Sequence, residues 1–261
     1  MLPIVAIVTL LAVFSRVYGD YLDINQCFVE LPNIQLSVDP MAMETVEFKD
    51  DCLRACLRSQ IRGKPCASLE HRPKDNACVL SEKIGKRRTE STRKKGNYFE
   101  NVCARPQEGG RLVARLAGFQ GGEGVLELAQ RKRQNPKLLA IMTGLQENQD
   151  FHIFYAPDVE LSSCHKINHL KDNLGKMLVT VDSDSRGMAV QPWTGLDDFH
   201  ILSDDVIGKV VVVVDANTSN VVDCGELKIY GNTSDWYHAL NGSDSVVGVI
   251  GIFLIAVLIL G

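Results

Sequence analysis

The pattern of hydrophobic and polar positions divides the chain into two apolar ends and a middle that changes character near residue 104. Residues 1–19 and 246–261 are mostly apolar, and the second run carries no charge. Residues 20–103 hold one amphipathic segment among short apolar runs, whereas residues 111–230 hold many short apolar runs separated by Gly, Asn and Asp clusters. The pattern therefore predicts an α+β unit followed by an all-β unit.

The first unit is predicted to contain one short helix and a few short strands. Lys49–Ser59 has an acidic start that is typical of a helix, and it places Cys52 and Cys56 four residues apart on one face. Each cysteine can then bond to a different partner beneath that face. A unit of about 80 residues with few large apolar side chains needs such covalent staples. The strand-like runs are 28–31, 68–71 and 77–80.

The second unit is predicted to be an antiparallel sandwich or barrel of seven or eight short strands without a long helix. Between the units, Ala104–Arg111 contains a Pro and paired Gly residues that suit an exposed linker, which we place at 104–110. The strand-like runs are 112–117, 125–130, 138–144, 151–155, 177–181, 199–202 and 210–214.

The amino-terminal run has the length of a secretory signal peptide and ends in small or modest residues, with Val17 and Gly19 at the positions that precede cleavage. We expect cleavage near Gly19 and exclude residues 1–19 from the fold. An uncleaved membrane anchor is the alternative, because no charged residue precedes the apolar run.

The carboxy-terminal run, 246–261, is short for a membrane-spanning helix, which needs about 20 apolar residues. An apolar tail, a polar spacer and an upstream triplet of small residues form the signal for a glycosylphosphatidylinositol (GPI) anchor. The spacer is predicted at 231–245, and the attachment candidates are Asn232, which leaves a suitable spacer, and Asn241, which leaves a short one. We therefore expect the chain on the extracellular face of the plasma membrane, with a single-pass helix as the alternative.

Eight cysteines in a chain with an export signal favour four disulfides over metal ligands or reactive thiols. Three N-x-[ST] triplets, at Asn217, Asn232 and Asn241, are candidate glycosylation sites in the same compartment. The export signal argues against a nucleic-acid role, and the net charge of −4 indicates no particular partner. The chain carries no phosphate-binding Gly loop, G-x-S-x-G, H-E-x-x-H or calcium-loop motif.

Six of the cysteines lie between residues 27 and 103, around Cys52-Leu-Arg-Ala-Cys56 and before the closing Tyr98-Phe-Glu-Asn-Val-Cys103. In these features residues 20–103 resemble a PAN/apple domain, a binding module for proteins or carbohydrates that has a short helix on a small antiparallel sheet and no catalytic site. Six cysteines allow fifteen pairings. The resemblance implies the pairs Cys27–Cys103, Cys52–Cys78 and Cys56–Cys66.

Three segments of residues 111–230 carry a second resemblance. They are Ala114–Phe119, Gly144–Phe154 and the close Val206–Val214 with the later Asp223-Cys224-Gly225. They are similar to the copper/zinc superoxide dismutase family, whose fold is an all-β Greek-key barrel. The resemblance implies a disulfide between Cys164 and Cys224, and it adds the option of a homodimer through the barrel.

Most of that family's metal ligands are absent from this sequence. Dismutation requires a copper ion that changes its oxidation state, and the family holds it with four imidazoles. The resemblance places the first imidazole on His152, whereas the second and fourth fall on Phe154 and Val214. Two of the zinc ligands fall on Leu170 and Asn173. We therefore expect no cofactor and no dismutase activity.

A rearranged metal site is the alternative. In it, His152 would combine with His165 or His169, and with Asp172, as a three-ligand cluster for zinc or copper. The default interpretation is that these histidines are structural, because a metal needs all its ligands to converge. The corresponding function would be an extracellular copper- or zinc-binding antioxidant.

Seven basic side chains crowd the segment between Cys78 and Cys103, here called the basic segment. They form a candidate site for an anionic ligand such as a sulfated glycan or an acidic protein. A solvated loop is the simpler interpretation, because charge runs are commonly just exposed. The residues are Lys83, Lys86, Arg87, Arg88, Arg93, Lys94 and Lys95.

Together these features predict a lipid-anchored recognition or adhesion protein at the cell surface. The first unit is expected to bind an extracellular protein or glycan, and the second is expected to be a catalytically inactive barrel. The other expected partner is the outer leaflet of the membrane, through the anchor, and a second copy of the chain is an option through the barrel.

Overall fold

A computed structural model of the chain describes residues 22–32, 40–85, 96–116, 118, 121–164 and 174–241. The predicted signal peptide and the predicted apolar tail lie outside these residues. Among the described residues, no helix combines the length and the apolar character that crossing a bilayer requires.

The first unit is a five-stranded antiparallel sheet with a helix packed on it, as far as the described residues show. Its elements are α1 (Leu22–Gln26), β1 (Phe28–Pro32), β2 (Ala42–Thr45), α2 (Lys49–Ile61), β3 (Ser68–Arg72), β4 (Ala77–Ser81) and β5 (Asn97–Asn101). The strands lie in the order β1-β5-β3-β4-β2. The predicted helix is therefore present, and it packs on the sheet because Leu53 and Leu57 are fully buried in one apolar cluster with Leu69 and Phe99.

Three disulfides tie the helix and the chain ends of this unit to the sheet. Cys52 and Cys56 leave the same face of α2 for different partners, the first on β4 and the second just before β3. The pairs are those that the first resemblance implies: Cys27–Cys103, Cys52–Cys78 and Cys56–Cys66.

The second unit contains eight strands within the described part of the chain. They are β6 (Gly110–Arg115), β7 (Glu123–Gln130), β8 (Lys137–Thr143), β9 (Asp150–Ala156), β10 (Lys176–Asp182), β11 (Ala189–Gly195), β12 (Val210–Asp215) and β13 (Val221–Ile229). A short helix α3 (Leu161–Cys164) follows β9, a 3-10 turn (Asp204–Val206) precedes β12, and a helix α4 (Thr233–Asn241) ends the unit.

These strands form one antiparallel sheet in the order β10-β9-β12-β13-β6-β7-β8-β11. The sheet curls until its edge strands β10 and β11 approach each other, which makes a nearly closed barrel. Two connections, β8 to β9 and β11 to β12, join strands that are not neighbours. The expectation of an all-β unit of seven or eight short strands is confirmed, and the number is eight.

Strand β12 is buried on both faces. Because successive side chains of a strand point to opposite faces, Val211 and Val213 enter the barrel core. Val212 lies on the outer face, in a separate apolar cluster that includes the linked Cys164 and Cys224. Cover on both faces explains why Val210–Val214 is apolar throughout instead of alternating.

Six of the seven predicted strands are present, as β6 to β10 and β12, but the strand predicted at 199–202 is wrong. Its apolar character reflects buried Phe199 and Ile201. The N–H groups of Ile201 and Leu202 donate to Oε1 of Gln130, at 2.7 and 3.3 Å, and not to a neighbouring strand. The segment therefore crosses the end of the barrel without joining a ladder.

Strand β11 was not predicted, because it contains Pro192, which cannot donate to a ladder. The pairing of β11 with β8 shifts register between Gln191 and Thr194, so the ladder bypasses the proline. As an edge strand of the nearly closed sheet, β11 tolerates this interruption.

Residues 233–241 of the predicted spacer, 231–245, form helix α4. Asn232 caps the helix, because its Oδ1 accepts a hydrogen bond from the Ser234 N–H at 3.0 Å. Trp236 is 1% exposed and belongs to the barrel core. The second unit therefore extends beyond its predicted end at residue 230.

His71 on β3 makes the stability of the first unit depend on pH. Its side chain is buried, and Nε2 has no hydrogen-bond partner among the described residues. Burial lowers the pKa of His71; a hydrogen bond with the Glu47 backbone opposes this, and nearby Lys49 adds to it. Because the fold favours the neutral ring, the unfolded chain binds a proton more readily.

Above about pH 6.5, the ordinary histidine pKa, the His71 ring is neutral in both the folded and the unfolded chain, so it does not lower the free energy of unfolding. As the pH drops below that value, the unfolded chain is protonated first, and the free energy of unfolding falls. Denaturant titrations between about pH 5 and 7.5 measure this slope. The change His71→Asn should remove this part of the slope, and His238→Asn, on the exposed face of α4, is the matched control. An unchanged slope in His71→Asn would show that His71 is not the source of this pH dependence.

Candidate functional site

Helix α2 is enclosed between its own sheet and the outer surface of the barrel. Its buried face shares one apolar cluster with Val125 of β7, Leu139 and Ile141 of β8, and Val190 of β11. The helix contacts β3 on one side and β7 and β8 on the other. The two units are therefore packed together, and this face of α2 is closed to any other partner.

A buried ion pair lies in the middle of this interface. The Arg54 guanidinium donates to Oδ2 of Asp184, in the loop between β10 and β11, and the two side chains are 11% and 6% exposed. The other carboxylate oxygen, Oδ1, accepts from the backbone N–H groups of Arg186 at 2.8 Å and Met188 at 3.0 Å. The loop thus holds a negative charge in a fixed position for a cation from α2.

Further polar contacts surround the ion pair. They are the pair Arg186–Asp51, the pair Arg62–Glu123 at 3.8 Å, the hydrogen bond from Trp193 Nε1 to the Cys103 carbonyl at 3.0 Å, and the hydrogen bond from Arg115 to the Ile61 carbonyl. The last of these satisfies a carbonyl at the end of α2, where intrahelical donors run out. Both ends of the helix are therefore fixed to the barrel.

A small polar crevice opens at the junction of the two units. Arg111 stacks on the Tyr230 ring at 4.1 Å and pairs with Glu127 at 2.7 Å. Gln60 Oε1 and Arg111 Nε line the crevice and have no partner among the described residues. Its volume of about 20 Å³ suits one water molecule and not a sugar. No sequence motif marked these residues, because the four chain segments that supply them lie far apart in sequence.

The outer face of the first sheet, opposite α2, lies under the start of the basic segment. Ser68 Oγ donates to the Lys83 carbonyl at 2.6 Å, and the Gly85 N–H donates to the Tyr98 hydroxyl at 2.8 Å. The Lys83 side chain is exposed. The remaining members of the basic segment lie outside the described residues: Lys86, Arg87, Arg88, Arg93, Lys94 and Lys95.

The positions that the second resemblance assigns to copper ligands lie together on the outer face of β9 and β12. His152 and Phe154 are two residues apart on β9, and Val214 of β12 is the direct cross-strand neighbour of His152. The Phe154 ring meets the His152 ring edge-on, with 6.2 Å between centroids. Nδ1 of His152 lies 2.9 Å from Oγ1 of Thr180 on β10. This face therefore brings together one imidazole, one phenyl ring and one isopropyl group.

The described residues contain no group of three His, Cys, Asp or Glu side chains that could hold a metal ion. Three of the four candidate ligands, His165, His169 and Asp172, lie outside the described residues. A cluster formed by them with His152 therefore stays a prediction.

The three glycosylation candidates are all exposed. Asn217 lies in the turn between β12 and β13 and donates through its side chain to Gln149. Asn232 and Asn241 lie at the two ends of α4. N-glycosylation requires an exposed asparagine side chain, and all three candidates meet this requirement.

Comparisons with known proteins identify a family for the first unit and a relative for most of the chain. Residues 27–103 match the family model described as the PAN domain. A Caenorhabditis elegans protein described as uncharacterized is 34% identical over 220 residues, which cover 80% of this chain and 77% of the relative. The alignment is much longer than the PAN match, so the similarity includes residues of the barrel.

The buried ion pair gives a direct test of the interface. Changing Arg54 to Ala leaves the Asp184 carboxylate buried without its cation, so we expect a loss of roughly 3–5 kcal/mol in the free energy of unfolding. The matched control is Arg186→Ala, which breaks a pair whose Arg side chain is half exposed and should cost about 0–1 kcal/mol. Urea unfolding followed by fluorescence measures both, and equal losses would contradict a central role for Arg54.

Proposed function

This chain belongs to the same family as the Caenorhabditis elegans protein and carries a PAN domain, and from this premise we propose that it recognises an extracellular protein or glycan at the cell surface. The PAN domain is the binding module in this proposal. The barrel is an inactive platform that holds the module in a fixed orientation.

The observation that carries the proposal is the docking of α2 on the barrel. It occupies the helical face of the PAN domain, so the surface left for a partner is the opposite side of the sheet, where Lys83 begins the basic segment. A binding surface on that side faces away from the barrel. An anionic partner, such as a sulfated glycan or an acidic protein, fits the charge of the segment.

We assign the barrel to the dismutase type on three supports. Two of its connections join non-neighbouring strands, Cys164 is linked to Cys224, and the assigned ligand positions 152, 154 and 214 are neighbours on one face. Phenylalanine and valine offer no lone pair to a metal, so this face lacks the imidazole set that a redox-cycling copper ion needs. Inactivity follows from that chemistry.

The anchor in this proposal is a GPI lipid. Its support is the sequence signal, an uncharged apolar tail preceded by small polar triplets. The lipid would tether the PAN domain and barrel as one body to the outer leaflet. Release by phosphatidylinositol-specific phospholipase from intact cells distinguishes this anchor from a spanning helix.

The rival function, a copper- or zinc-binding antioxidant, is separated from this proposal by metal analysis. The purified chain is expected to contain no stoichiometric copper or zinc and to have no dismutase activity. As a positive control, Phe154→His with Val214→His places two imidazoles beside His152 and should take up copper; His152→Ala in that variant should weaken the uptake. Stoichiometric copper in the natural chain, with activity that His152→Ala abolishes, would overturn the proposal.

Binding is tested with the whole chain, since α2 is buried against the barrel. Changing Lys86, Arg87 and Arg88 to Ser should weaken binding to a sulfated-glycan array by roughly tenfold or more, because one lost charge-assisted contact costs at least about 1.4 kcal/mol. The matched control changes Arg131, Lys132 and Arg133, three exposed basic residues in the turn between β7 and β8. Equal weakening in both variants would show that net charge, and not this segment, governs binding.

A further inference from the structure

The anchor signal and the fold disagree about where the chain ends after processing. Judged by spacer length, Asn232 is the better attachment residue. Attachment there would remove everything from Thr233 onward, and this includes the whole of α4. The position of α4 in the fold therefore bears on which asparagine receives the lipid.

Helix α4 is an integral part of the barrel. Trp236 is among the largest fully buried side chains, and it belongs to the same core cluster as Leu112 and Leu227. Its ring lies against the backbone of Gly110, where an added Cβ would come within 3.0 Å of Trp236 Cε3 and 2.6 Å of Leu202 Cδ2. Loss of α4 would uncover the core at this end of the barrel.

Asn232 is also engaged as the helix cap. Besides the side-chain contact to Ser234, its carbonyl accepts from the Asp235 N–H at 3.1 Å. The first turn of α4 thus depends on the peptide that cleavage after Asn232 would break. By contrast, Asn241 is exposed and is the last residue of α4. A cut after Asn241 therefore leaves every residue of α4 in the mature chain.

We propose that the mature chain retains α4 and that the GPI lipid is attached at Asn241. The inference rests on the lipid anchor proposed above. In the transfer, the peptide bond between Asn241 and Gly242 breaks, and an amide forms between the Asn241 carbonyl carbon and the amino group of the lipid's ethanolamine phosphate. The departing peptide, Gly242–Gly261, takes up the amine proton at its new terminus, and no oxidation or reduction occurs.

Retention of α4 also leaves Asn232 as a glycan acceptor. A glycan bonds to the side-chain nitrogen of asparagine, whereas the helix cap uses Oδ1. The two uses are therefore compatible. The lipid and the glycan are thereby assigned to different ends of α4.

The attachment site sets the orientation of the barrel. Strand β13 begins beside the turn that carries Asn217 and ends just before α4. Its nine residues span about 30 Å at the usual strand rise. Asp184, which holds the PAN helix, lies at the Asn217 end, since β10 and β12 both end beside the start of β9. The start of α4 and the Asp184 end of the barrel are thus at opposite ends of β13.

Mass spectrometry of the phospholipase-released protein tests the site. Trypsin cleaves after Lys228, so the terminal peptide begins at Ile229 and carries the remnant ethanolamine phosphate. After enzymatic removal of N-glycans, a peptide that ends at Asn241 supports the inference. One that ends at Asn232 overturns it while leaving the lipid anchor intact. Protein that the phospholipase does not release, and whose terminal peptide continues without ethanolamine into residues 242–261, overturns the lipid anchor itself.

A second measurement does not depend on the lipid. The changes are made in the full-length precursor, and the Tm of the processed protein is measured. Trp236→Ala should lower this Tm by roughly 10 °C, because it opens a cavity in the core. Tyr237→Ala, at a side chain that is 43% exposed on the same helix, should have little effect. The result distinguishes retained α4 from removed α4 under any kind of anchor. Indistinguishable Tm values for the two variants would overturn retention of the helix.

Discussion

The Arg54–Asp184 ion pair is the contact on which the arrangement of the two units depends. Asp184 is already held by two backbone N–H groups of its own loop, so its position is fixed before the PAN helix arrives. A buried carboxylate tolerates few geometries for its cation, and a displaced helix would leave both charges without partners. The apolar contacts around the pair supply attraction without direction. The ion pair adds the direction, and with it a defined relation between the PAN sheet and the barrel.

The outer face of β9 and β12 brings together three side chains of which one is an imidazole. His152, Phe154 and Val214 are neighbours, and the last two pack in the outer apolar cluster. A metal site must hold polar ligands in place at a cost in stability, whereas an apolar face gains from burial. The Cys164–Cys224 disulfide joins the same outer cluster. Packing and a covalent link thus stabilise this face.

Local patterns predicted much of this fold, and their failures have identifiable causes. Alternation and turn residues predicted six barrel strands, and the acidic start with cysteines four apart predicted α2. The run at 199–202 was misread because loop side chains that enter the barrel core give the same apolar signal as strand side chains. Strand β11 was missed because Pro192 argues against a strand unless its edge position is known. The contacts of Arg54 and of Trp236 could not be predicted, since each joins residues distant in sequence.

A barrel that holds α2 in place is useful to a PAN domain whatever else the barrel does. Association costs free energy when surfaces must be ordered as they bind, and a preorganised surface avoids part of that cost. The PAN domain is ordered twice, by its three disulfides and by the barrel beneath α2. Because α2 is fixed at both ends, the barrel can set the direction in which the opposite side of the sheet points. A rigid platform of this kind needs nothing from the barrel beyond the contacts that hold α2.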